Sequence, residues 1–159
     1  MNFLFPFFKW ANSTWISKVI NDSAWLFPAI EAVHIVALAL LFGAALVLNL
    51  RLLGVMLRSV PSPRLARELA PWTLCSLIVI LTSGALLFAT EALKSFYSVP
   101  FRIKMILLIS AIVFHYTVGR KVALTEEGRI APAFSKATGI VGIVLWLSVG
   151  FAGRAIAFF

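Results

Sequence analysis

The chain has 159 residues, 62% of them hydrophobic and 13% charged, with a mean hydropathy of +1.01. Soluble domains are about 45–50% apolar, so this composition excludes a separate water-soluble enzyme and predicts a single transmembrane domain over residues 1–159. Fourteen Lys and Arg against six Asp and Glu give a net charge of +8, an excess that suits loops beside membrane spans and anionic lipid rather than nucleic acid.

The opening MNFLFPFFKW lacks a basic start, and no small-residue cleavage site follows it, so the N-terminus is expected to stay. Trp10, Trp15 and Trp25 alternate with Lys9, Lys18 and Asp22, the pattern of a segment, residues 1–24, lying at headgroup level. Four windows then reach spanning length, at about 25–50, 72–90, 101–119 and 139–157. The fold class is therefore all-α, a four-helix transmembrane bundle. One cysteine, Cys75, allows no internal disulfide and no cysteine metal cage.

The loop after the first window holds Arg51, Arg58, Arg64 and Arg67, with Pro61 and Pro63 breaking the helix, and the loop before the fourth holds Arg120, Lys121, Arg129 and Lys136. The other side has Lys9, Lys18, Lys94, Arg102, Lys104 and Arg154. Basic residues concentrate in the two loops, which places both loops in the cytoplasm and both termini outside, in a bacterial inner membrane. Gly43, Ala44 and Ala45, then Ser83, Gly84 and Ala85, then Gly139, Gly142, Gly150 and Gly153 mark close helix approach, within one bundle or across a homodimer.

Ionisable groups inside spans cost at least about 2.5–3.5 kcal/mol at the bilayer centre and are functional suspects. Glu31 and His34 stand three residues apart on one helix face. With a rise of 1.5 Å per residue, His34 lies roughly 10 Å below the outer surface, and Lys104 and Arg154 roughly 5 Å below it. One reading makes His34 a ligand to a metal or haem iron, with Arg154 and Lys104 receiving carboxylates such as haem propionates and Glu31 fixing the ring or relaying a proton. The other pairs Glu31 with Arg154, lets Lys104 snorkel to the headgroups, and leaves His34 bonded to a helix carbonyl. Thr73, Ser76, Thr82 and Ser83 are expected to bond back to carbonyls of their own helix.

The second histidine, His115, falls roughly 20 Å from the outer surface, at the depth of Tyr116, Arg120 and Arg51. A depth difference of about 10 Å is awkward for two axial ligands of one haem, and tilt of about 20° recovers only part of it. Two polar sites are expected, one per leaflet, with His34 and His115 as the two candidate metal ligands. Phosphate loops, Cys-x-x-Cys and His-Glu-x-x-His are missing from the sequence.

Glu31-x-x-His34, Leu50 to Gly54, Pro71–Trp72, Phe101-x-x-Lys104, Phe114–His115 and Gly153–Arg154 resemble the motifs of an uncharacterised family of small four-span bacterial membrane proteins. The resemblance runs from about Trp25 to the end and implies a fold and candidate residues, with no activity attached. Asn49 departs from it, where the family more often has Asp. His34, Gly43 and Arg51–Leu52 are also similar, over a short stretch, to HemJ-type protoporphyrinogen oxidases and copper-resistance D-like proteins, a likeness that implies haem b or copper.

The expectation is thus a haem b- or metal-binding membrane subunit that transfers electrons between membrane quinone and an outer-face redox partner. His34, Glu31, Arg154 and Lys104 would hold the cofactor, and His115, Arg51, Arg120 and Tyr116 would form the second polar site. The alternative is a non-redox accessory or anchor subunit, or a small proton-coupled transporter.

Overall fold

The computed structural model describes residues 5–126 and 128–155. Two short helices, α1 (Phe5–Ser13) and α2 (Trp15–Asp22), precede the first long one, α3 (Leu26–Leu52). There follow α4 (Ser62–Thr90), α5 (Ala92–Tyr97), α6 (Val99–Phe114), a π-helical turn (His115–Gly119), α7 (Arg120–Leu124) and α8 (Pro132–Ala155). The expected interfacial segment is thus a pair of helices, hinged where the Thr14 side chain caps α2 by accepting from Ser17 N–H. Trp10, Trp15 and Trp25 are 64%, 76% and 83% exposed, as residues of an aromatic belt would be. Residues 1–4 of that segment, and 156 and 157 of the fourth expected window, lie outside the described residues.

Among the described residues, four helical stretches are long and apolar enough to cross a membrane: Leu26–Leu52, Ser62–Thr90, Val99–Leu124 and Pro132–Ala155. Each exceeds its hydropathy window, because hydropathy measures the hydrocarbon layer while the helix continues into the headgroups. At 27 residues α3 is about 40 Å long, against a hydrocarbon thickness of about 30 Å. Prolines expected to break the chain instead start α4: Pro61 is its N-cap and Pro63 sits in its first turn, where no N–H is needed. Pro71 lies inside α4, at the cost of one backbone bond that membrane helices tolerate.

The first span ends in a turn that explains the Leu50 to Gly54 motif. Gly54 takes φ +73°, its N–H reaches Arg51 O at 2.9 Å, and Val55 N–H reaches Leu50 O at 3.1 Å. These two bonds form a Schellman motif, which needs a left-handed residue after the helix and favours glycine there. The buried Arg51 then donates from Nε to Val60 O at 2.7 Å, pinning the loop back onto the helix end.

The long helices alternate in direction. His34 faces Ser83 while Leu52 clusters with Leu65, and Asn49 meets Gly139 and Gly142. Lys104 lies over Gly153, and His115 faces Trp146. α3 is the central helix, packed on α4 and on α8, and α8 in turn carries α6. Helix α6 stands further from α3 and α4, and only 11% of its span is buried, against 28–33% for the others. It is the span most given over to lipid.

Packing in a membrane comes from close contact rather than from water exclusion. Leu41, Ala45, Leu77, Ile80, Ala111, Trp146 and Val149 fill the middle of the bundle, and Leu48, Leu52, Leu65, Ala66, Val122 and Ala123 fill the end near the basic loops. The small residues divide by position. A Cβ on Gly139 would lie 2.7 Å from Asn49 O, and one on Gly142 would lie 2.8 Å from Asn49 Cγ, so α3 and α8 meet there because these residues are glycine. Gly43 and Gly150 face open space.

Candidate functional site

All four spans contribute to one end of the bundle. His34 sits on the third turn of α3, and its Nδ1 is 2.8 Å from Ser83 Oγ on α4. A Cβ on the neighbouring Gly84 would lie 3.2 Å from His34 Cε1, so the ring is seated against bare helix backbone. Lys104, on the second turn of α6, is close enough to act electrostatically on the ring. Its side chain runs over Gly153 of α8, with Cε 3.5 Å and Nζ 3.6 Å from where a Cβ would stand.

Hydrogen-bond accounting fixes the imidazole. Ser83 Oγ lies 2.5 Å from Val79 O, one turn back on its own helix, so its single proton is donated there. Towards His34 it then offers lone pairs, so Nδ1–H donates to it, and the Ile80 backbone is a further hydrogen-bond partner of the ring. In the neutral ring Nε2 then carries a free lone pair. Lys104 makes no hydrogen bond or ion pair among the described residues. An imidazole lone pair and an ammonium group therefore stand together in a partly buried place.

An aromatic cluster roofs this end. Phe88, one turn outward of Gly84, stacks on Phe101, one turn outward of Lys104, with centroids 5.6 Å apart. Phe8 of α1 meets Phe88 and Phe96 edge-on, each at 5.2 Å, and Phe5 meets Phe96 at 5.3 Å. The N-terminal helix is thereby held across the ends of α4 and α5.

Glu31 and Arg154 are the other expected members of this site. Glu31 is exposed and makes no hydrogen bond or ion pair among the described residues, so the Glu31–Arg154 pair does not form. The group that orients His34 is Ser83, not Glu31. Arg154 is exposed in the last turn of α8, next to Gly153. Among the described residues no three His, Cys, Asp or Glu gather to hold a metal ion.

The second histidine lies eleven residues beyond Lys104 on the same span, about 16 Å along its axis. His115 opens the π turn, and its half-buried ring meets Tyr116 and Trp146 edge-on at 5.1 Å and 6.1 Å. The Tyr116 hydroxyl is buried without a hydrogen bond among the described residues. Arg120 is close enough to His115 to act on it electrostatically. It also lines an open groove of about 370 Å³ with Ala66, Arg67, Ala70 and Leu124. Arg51, assigned to this group from its depth, is occupied with the Val60 carbonyl. Thr73, Thr82 and Ser83 do bond back to their own helix, at 2.9, 2.9 and 2.5 Å.

The class of protein is thus a four-span membrane bundle with an imidazole and an amine converging near one end. The chain belongs to a family of unknown function, DUF6644, whose model matches residues 7–159. No curated protein and no solved structure matches it.

Proposed function

We propose that the protein is a haem b-binding membrane subunit that passes electrons between quinone in the bilayer and a redox partner at the outer face. The observation that carries this reading is the seating of His34: its Nδ1 lies 2.8 Å from Ser83 Oγ, whose own proton goes to Val79 O, so Nδ1–H donates to Ser83 and Nε2 is left to ligate. Ligating histidines are commonly held through the other ring nitrogen in this way. Lys104, with no anionic partner among the described residues, suits a haem propionate. Arg154, at the same end of the bundle, is a second cation for such a group. Haem, when bound, supplies a one-electron couple. The chain's own groups hold it, screen it from water behind Phe88 and Phe101, and offer Glu31 at the exposed edge as a proton carrier. The basic loops support an orientation with both termini outside a bacterial inner membrane.

The donor set favours haem over a bare metal ion, because one imidazole with no cluster of further His, Cys, Asp or Glu among the described residues does not complete a protein-only metal site. The His115 end, with Tyr116 and Arg120, lies too far along the span to share one iron with His34, and it is read as a separate polar site. One observation also favours the second reading, a small transporter: an ammonium group lacking a carboxylate suits an anionic substrate equally well.

An oxidised and dithionite-reduced absorption spectrum of the detergent-purified protein, with metal analysis of the same sample, separates the two. A Soret band and a reduced α-band, both lost in His34→Ala, are expected. A flat spectrum at full protein concentration would overturn the haem reading and leave the transporter.

A further inference from the structure

At the opposite end of the bundle, the groove between α4 and α7 has two arginines and an apolar wall, a combination that the His34 site does not use. Arg67 donates from Nε to Pro63 O at 3.1 Å, and its remaining guanidinium nitrogens have no partner among the described residues. The Arg120 side chain makes no hydrogen bond or ion pair among the described residues. The acids of this end are engaged elsewhere: Glu68 with Arg64 at 2.9 Å and Glu126 with Arg129 at 3.1 Å, while Glu127 lies outside the described residues. Ala66, Ala70 and Leu124 form the wall of the groove, whose volume of about 370 Å³ exceeds that of a phosphate group alone.

Depth identifies the surroundings. Trp72 is 61% exposed, the mark of a belt residue, and Arg67 lies five residues before it on α4, about 7.5 Å nearer the water. The groove is therefore level with the headgroups of its leaflet. Two guanidinium groups offer the planar forks that match phosphate oxygens, and basic pockets between spans at this level take anionic headgroups.

We infer that the Arg67–Arg120 groove binds the phosphate group of an anionic phospholipid, whose glycerol and upper acyl carbons lie along Ala66, Ala70 and Leu124. Each arginine near a headgroup is worth about 1 kcal/mol, a factor of about five in affinity. The inference is independent of what His34 holds.

The test is native mass spectrometry of the detergent-purified protein titrated with phosphatidylglycerol, with phosphatidylcholine, and with inorganic phosphate as competitor. Phosphatidylglycerol is expected to bind in preference to phosphatidylcholine, and Arg67→Gln/Arg120→Gln to weaken it by about 25-fold. Ala70→Leu fills the wall without touching charge and is expected to weaken it too, which covers a double variant that fails to fold. Arg64→Gln, on the same turn but outside the groove, is expected to leave binding unchanged. Equal binding of both lipids, or an equal loss in Arg64→Gln, would overturn the site. Displacement by millimolar inorganic phosphate would assign the groove to soluble phosphate and overturn the lipid.

Discussion

His34 and Ser83 are joined by a bond of 2.8 Å whose direction is set by a third group, the Val79 carbonyl 2.5 Å from the Ser83 hydroxyl. The neutral imidazole is therefore expected to be the Nδ1–H tautomer, and ¹⁵N spectra of histidine-labelled protein report this directly. Ser83→Ala should give a mixture of tautomers in the same spectra. If His34 carries haem, the variant should also lose about 10–100-fold in haem affinity, the usual effect of removing a group that holds a ligating ring. A dominant Nε2–H tautomer in the wild type would break the argument at its first step.

Gly84 supplies the seat of the ring, and a methyl group there would lie 3.2 Å from Cε1. Gly84→Ala is expected to push the ring off Ser83 while sparing the bundle, because the ring faces a partly exposed edge. The ¹⁵N shifts of His34 should change as they do in Ser83→Ala, with the melting temperature nearly unaltered.

Lys104 holds its ammonium group in a partly buried position without an anion among the described residues. Lys104→Met keeps the length and removes the charge, so the ligand-free protein should gain stability, by about 1 kcal/mol at this shallow depth. Binding of any anionic ligand at His34 should weaken in the same variant. A loss of stability in thermal unfolding would mean that the charge is already satisfied.

The glycines of α8 make a paired test of packing. Gly142→Ala drives a methyl group into the Asn49 side chain and should cost about 1–3 kcal/mol. Gly150→Ala meets open space and should gain up to about 1 kcal/mol from helix propensity. Thermal unfolding in one detergent compares the two without further assumptions.

The number and order of the spans are legible in hydropathy, and so is the gathering of His34 and Lys104 at one end. Helix ends are less legible. α4 begins ten residues before its apolar window, because Arg64, Arg67 and Glu68 are polar yet helical, and hydropathy registers only the polarity. The partner of His34 was hidden for a different reason. Ser83 bonds to its own helix, as a serine in a span is expected to, and nothing in a hydropathy profile says that its lone pairs face a ring on another helix. The available signal is the Ser83–Gly84 doublet, a hydroxyl beside a bare backbone patch, which by composition alone marks only close helix packing. Arg51 misled through depth alone, since its guanidinium turns back to close a loop.

The π turn at His115–Gly119 has a consequence for the whole third span. It adds about one residue to the helical repeat, rotating everything beyond it by about 100°. Before the turn the span leans on α8; after it, Val122 and Ala123 are buried beside Leu65 and Ala66 of α4. One continuous rod thus serves two neighbours in succession. Removing a single residue, such as Thr117, would restore the uninterrupted repeat and swing Arg120 away from Arg67 while leaving His34, Ser83 and Lys104 in register. The two ends of the protein can in this way be uncoupled by one codon, so that each can be assayed with the other as its internal control.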